Sequence, residues 1–143
     1  MSFYTFEMTG KVEFYDCDPM CVVWHGNYLK YLEAARGRFL ELIDYPYLTV
    51  GQEGNVFPVV DLRLKFTSSL KLGDTYTVVT DLDEYENRLV HSFVIKTGDR
   101  VCVKARSVQV RVAAGSSELS FFMPENFIRN VRSFLERQGT PAA

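Results

Sequence analysis

Two histidines, one tryptophan, three cysteines and five prolines are all that this 143-residue chain holds of those types. Three cysteines cannot all pair, and MSFYTFEMTGKVEF lacks the charged-then-apolar build of a secretory signal. The thiols therefore read as reduced and the chain as cytoplasmic. No apolar run has the length needed to cross a bilayer, so no membrane partner is expected. Sixteen Lys and Arg against 18 Asp and Glu give a formal net charge of −2. With no basic stripe, nucleic acid is not an expected partner either. There is no internal repeat, low-complexity tract or Gly/Ser linker, so residues 1–143 read as a single domain. That length buries a core without disulfides or metal. Aromatic residues are plentiful, with 11 Phe and eight Tyr; strands, subunit contacts and apolar pockets all use them.

The order of elements carries more. Tyr4 to Tyr15 has the content of a strand. Pro19 and Gly26 then interrupt regular structure, and Asn27 suits the N-cap of a helix. From Asn27 to about Asp44, Tyr28, Leu32, Ala35, Phe39 and Leu42 recur at helical spacing, and Leu29, Leu40 and Ile43 widen the stripe. Lys30, Glu33, Gly37, Arg38 and Glu41 fill the other face, while Arg36 sits at its edge with a stem placed to snorkel. Asp44-Tyr45-Pro46 ends the helix.

Four strands come next with turn signals between them: Val59–Thr67, Thr75–Leu82, Leu89–Lys96 and Val101–Val112. In the last, Val101, Val103 and Ala105 alternate, but Val108, Val110 and Val112 continue out of phase, which predicts a β-bulge near Arg106-Ser107. Pro124 to Glu136 reads as a short terminal helix. The expectation is an α+β fold: a curved antiparallel sheet of about five strands wrapped around one long helix. One helix cannot cover both sheet faces, so a second subunit is expected on the other.

The densest polar cluster is Asp16-Cys17-Asp18, with His25 seven residues after Asp18, all at a strand-to-helix junction. Unpaired amides and the helix dipole favour negative charge there. Thioester hydrolysis needs a carboxylate that attacks or activates water, and donors aimed at the oxyanion. Acidic residues before helices also serve as caps or turn formers. Cys17, Cys21 and His25 are spaced four apart, but Pro19 breaks their alignment and no second ligand pair occurs downstream, so no metal is assigned.

The stretch VEFYDCDPMCVVWHGNYLKYLEAAR, residues 12–36, resembles the signature of the 4-hydroxybenzoyl-CoA thioesterase family and its bacterial acyl-CoA thioesterase relatives. The resemblance covers about residues 8–135. It implies a hot-dog fold acting as a homo-oligomer, a dimer or a dimer of dimers (a homotetramer), with active sites at the subunit interface. It puts the catalytic carboxylate on Asp18 and an assisting role on His25, while Asn27 and Tyr28 shape the helix start and pocket. It implies no metal or organic cofactor, coenzyme A entering only as part of the substrate. Arg63, Lys65 and Arg88 are candidates for the CoA phosphates, with Lys104 and Arg106; solvated strand faces explain each equally well. Trp24, Tyr28 and Phe57 are candidate pocket walls. Asp16 reads as structural, His91 as a packed or interfacial histidine and Cys102 as a small core residue. Met20-Cys21 and Ser69 depart from the family pattern, the first where small residues are usual.

The expected activity is hydrolysis of an acyl-CoA or acyl-carrier-protein thioester. The alternative is a non-hydrolytic acyl-binding module on the same fold. A hot-dog dehydratase is a third reading, disfavoured by the spacing between the acidic pair and Asn27-Tyr28.

Overall fold

In the computed structural model, which describes residues 2–139, the last three of the four successive strands pair antiparallel in chain order, while the first pairs with the last rather than with its successor. The sheet contains β1 (Tyr4–Lys11), β3 (Val59–Phe66), β4 (Thr75–Glu84), β5 (Leu89–Thr97) and β6 (Arg100–Gln109), in the order β1-β4-β5-β6-β3. β1 and β3 are the two edges. β3 pairs with β6 on one side, and nearly all of its residues are exposed. A small second sheet pairs β2 (Asn55–Val56) with β7 (Val112–Ala113). Neither β2, β7 nor the six-residue helix α2 (Tyr47–Gln52) was expected, since segments this short carry no readable period.

The long helix α1 spans Tyr28–Leu42 and lies against one face of the sheet, the hot-dog arrangement. Leu32, Ala35 and Phe39 are wholly enclosed, as expected from their spacing. Each enclosed Leu or Phe contributes roughly 1.5–3 kcal/mol. Three residues depart from the expected stripe. Tyr31 is buried, and Arg36 does not snorkel: it is only 6% exposed, guanidinium included. Leu29, expected in the stripe, is exposed.

The helix stops in a Schellman motif. Asp44 adopts φ +59°, Tyr45 N–H donates to Leu40 O at 2.9 Å, and Asp44 N–H donates to Glu41 O at 3.0 Å. Pro46 then forbids continuation. Helix α3 (Glu125–Arg137) packs Phe127, Val131, Phe134 and Leu135 against the C-terminal half of α1 and against Leu82 and Leu89.

The expected bulge near Arg106-Ser107 is not there: β6 keeps register with both neighbours from Val103 to Val108. The extra residue is Cys102, between the pairs Ile95–Val103 and Lys96–Val101. The phase shift in the sequence has another source. Beyond Ala105 the helix-facing positions of β6 are polar, Ser107 and Gln109, while Val108 stands on the opposite face.

Those two residues belong to a polar seam beneath α1. Thr80, His91 and Ser107 have no exposure, and Gln109 has 2%. His91 packs its ring on Phe39, with centroids 5.0 Å apart, and burial together with the Arg36 charge pushes its pKa down to about 3. The unfolded chain takes up a proton below about pH 6.5 that native His91 refuses until about pH 3. His91 therefore supports full stability above pH 6.5 and draws it down as pH falls through that window. Urea midpoints near pH 7 and pH 4.5 should show a smaller acid loss for His91→Leu than for the native protein. Equal losses would contradict the assignment.

Candidate active site

Residues 17–23 fold into a tight hairpin ahead of α1. Cys17 bridges Val23, Asp18 N–H donates to Val22 O at 2.9 Å, and Cys21 N–H donates to Asp18 O at 3.0 Å. Asp18-Pro19-Met20-Cys21 is thus a β-turn with Asp first and Pro second, the places their chemistry favours. Asp18 is half-buried. Its Oδ1 accepts Met20 N–H at 2.8 Å, and among the described residues Oδ2 accepts no hydrogen bond. Cys21 closes the turn at φ +62°, a conformation that glycine takes most easily. The departure from the small-residue pattern therefore falls where the backbone is most demanding. Val23 N–H to Leu70 O (2.9 Å) and Leu72 N–H to Cys21 O (3.0 Å) fasten the hairpin to the chain after β3.

Asp16 is buried and structural. Its Oδ2 accepts Glu13 N–H at 2.9 Å, and its backbone carbonyl accepts Trp24 N–H at 3.0 Å and Asn27 Nδ2–H at 2.8 Å. Asn27 precedes α1 as expected, but its side chain reaches back to Asp16 rather than capping the helix. Burial, then the charges of Asp16, Cys21 and Asp18, raise the Cys17 thiol above its ordinary value, which makes it a poor thiolate nucleophile.

His25-Gly26-Asn27 form a 3-10 turn that runs into α1. As the first residues of a helical turn, His25 and Gly26 present N–H groups that no carbonyl within the helix can reach. The exposed His25 ring lies 5.0 Å from that of Trp24, which in turn rests on Gly26. His25, Val23 and Tyr28 share a cavity of about 310 Å³ with Phe66, Thr67, Ser68 and Ser69. Tyr28 is anchored there: its hydroxyl accepts Leu70 N–H at 3.1 Å and its ring meets Phe66 at 5.6 Å. Arg100 fixes the far wall by donating to Ser68 Oγ (2.9 Å) and Ser69 O (2.8 Å). The wall formed by residues 66–69 was not anticipated, although the Leu70–Asp74 turn signal that brings it back was visible.

The sequence candidates thus divide. Asp18, Trp24, His25, Asn27 and Tyr28 belong to one hairpin-to-helix segment. Phe57 does not join them: it is a core residue stacked on Tyr45 and edge-on to Phe127. Arg63 and Lys65 face Arg106 and Lys104 across the β3–β6 pair, forming a shallow basic strip on the sheet face away from α1. Arg88 stands just before β5, ion-paired with Glu84 at 3.0 Å. A larger groove of about 980 Å³ runs along α3, and none of the candidate residues lines it.

An antiparallel sheet laid across one long helix is the hot-dog arrangement. The family model of the thioesterase-like superfamily matches residues 12–140, and the chain belongs to that family. It is 32% identical over 114 residues to 4-hydroxybenzoyl-CoA thioesterase from Pseudomonas sp. (strain CBS-3), covering 75% of this chain and 81% of that one. To the acyl-CoA thioesterase YbgC of Helicobacter pylori it is 30% identical, covering 71% of each. A crystal structure of hypothetical protein TT1821 from Thermus thermophilus matches with TM-score 0.79 and 30% identity, over 90% of this chain and 98% of that one. A mutant of 4-hydroxybenzoyl-CoA thioesterase complexed with 4-hydroxybenzoyl-CoA matches with TM-score 0.74 and 25% identity, over 88% and 97%.

A Cβ on Gly26 would lie 2.3 Å from the Trp24 ring. Gly26→Ala should therefore push that half-exposed ring aside, with a loss below about 1 kcal/mol. Trp24 is the only tryptophan, so a changed emission spectrum checks this directly. An unchanged spectrum would contradict the packing.

Proposed function

We propose that the protein hydrolyses a coenzyme A or acyl-carrier-protein thioester to free acid and thiol, with Asp18 as the central carboxylate. The observation that carries this reading is the Asp18 turn: one oxygen held by Met20 N–H, the other unengaged, just ahead of the free amides that open the helix. Asp18 acts as nucleophile on the thioester carbonyl or as general base toward water. In either route the carbonyl oxygen gains negative charge, and the N–H groups of His25 or Gly26 are placed to receive it. The His25 side chain serves the departing thiolate. Arg63 and Lys65, with Lys104 and Arg106, offer charge to the CoA phosphates, and Arg88 extends that charge along the sheet.

The site is completed by a second copy of the chain. β3 is an open edge that exposes Val59, Val60, Leu62 and Phe66, and an unpaired edge of this kind invites another strand. Antiparallel pairing of β3 with its copy would bring each Phe66, beside the His25 cavity, toward the partner's opposite strand end. A pair of such dimers gives the homotetramer expected from the resemblance.

The native protein should release thiol from at least one member of an acyl- and aryl-CoA panel. Asp18→Asn should reduce kcat by roughly 10² to 10⁴. Full-rate hydrolysis by the variant would remove Asp18 from the mechanism, and tight binding without turnover by the native protein would favour the acyl-binding module. Light scattering should find a dimer or tetramer that Val60→Lys with Phe66→Lys converts to inactive monomer; an active monomer would contradict the shared site.

A further inference from the structure

Residues 67–69 continue from β3 without regular structure and, with Phe66, wall the His25 cavity. A segment outside the strand ladder moves as far as its attachments allow. Those attachments are unevenly spread. Thr67 and Ser68 donate both backbone N–H groups to Cys102 O, at 2.8 and 3.3 Å, and both hydroxyls to Val101 O, at 2.8 and 3.0 Å. Leu70 is held at both of its backbone groups. Its N–H donates to the Tyr28 hydroxyl at 3.1 Å, and its carbonyl accepts Val23 N–H at 2.9 Å. Ser69 stands between these anchors, and among the described residues its one hydrogen bond comes from Arg100.

Arg100 opens β6 and pairs with Thr97 across the Gly98-Asp99 turn, so the β5–β6 hairpin fixes its backbone. Its Nη1 donates to Ser69 O at 2.8 Å and to Ser68 Oγ at 2.9 Å. Its Nη2 lies 3.6 Å from Asp74 Oδ2, which also accepts Lys71 N–H at 2.9 Å. One guanidinium thus reaches both sides of Leu70, the cavity wall before it and the turn after it. A planar fork with two nitrogens can hold both ends, whereas a single ammonium holds one. The same charge is felt inside the cavity. Burial raises the Tyr28 hydroxyl above its ordinary value, and the Leu70 hydrogen bond and the Arg100 charge oppose that rise. The Arg100 side chain is 44% exposed, so its ion pair adds little to global stability.

We infer that Arg100 is a positioning residue for the proposed thioesterase site: through Ser68 and Ser69 it sets how far the cavity wall stands from Tyr28, and so how the acyl group fits. The inference rests on the proposed function for the identity of the occupant, and on the hydrogen bonds alone for the hold on the wall. Arg100 does not itself line the cavity, so its effect falls on the fit and not on proton transfer at Asp18 or His25.

Arg100→Gln and Arg100→Lys in the full-length protein test this. Amide hydrogen exchange followed by NMR reads the wall without any ligand. Arg100→Gln should speed exchange at Leu70 about tenfold while Phe93 and Ile95, on the central strand β5, keep their native rates; Arg100→Lys should recover part of the protection. Octanoyl-CoA and benzoyl-CoA, titrated calorimetrically into Asp18→Asn protein, then read the fit. At least one should bind, and adding Arg100→Gln should weaken it at least about threefold, Arg100→Lys less. Unchanged exchange at Leu70, equal acceleration at Phe93, or faster exchange with unchanged affinity would overturn the inference. Failure of both thioesters to bind the Asp18→Asn protein would count against the proposed thioesterase reading, and the exchange comparison would still decide whether Arg100 holds the wall.

Discussion

The backbone carbonyl of Asp16 accepts two hydrogen bonds, from Trp24 N–H and from the Asn27 side chain. It thereby ties the segment leaving β1 to the turn that opens α1, with the Asp18 hairpin closed between them. Each bond contributes only about 1 kcal/mol, yet without them the carboxylate turn and the helix amides would sit on independently moving segments. The Asp16 carboxylate reinforces the arrangement by holding Glu13 N–H. Asn27 makes this tie through its side-chain N–H and forms no cap; its backbone is already helical, and the 3-10 turn at His25 leads into the helix instead.

A single helix on a five-stranded sheet leaves the rest of the problem open in a useful way. α1 covers one face, and α3 closes the end where α1 terminates. Nothing within the described chain pairs the outer edge of β3, so that edge stays open along its length.

The parts of this fold legible in the sequence were those with a sustained period. Leu32, Ala35 and Phe39 mark the buried face of α1, and Leu62, Leu64 and Phe66 mark one face of β3. Arg36 was assigned by residue type to the surface, and only its neighbours Glu33, His91 and Tyr47 show why it is inside. The misplaced bulge has the same origin: polar Ser107 and Gln109 occupy interior positions, so the valines beside them looked like a change of phase. At the site, residues 12–36 were legible as one motif. The wall at residues 66–69 comes from a distant part of the chain and is brought in by the Tyr28–Leu70 hydrogen bond, which has no local signature.

A crystal structure of the Asp18→Asn protein with a non-hydrolysable thioether analogue of an acyl-CoA tests the central claim most directly. The account predicts the acyl carbonyl beside residue 18 and the His25 amide, with the acyl group entering the cavity walled by Tyr28 and Phe66. An acyl group bound elsewhere, for instance in the groove along α3, would contradict it.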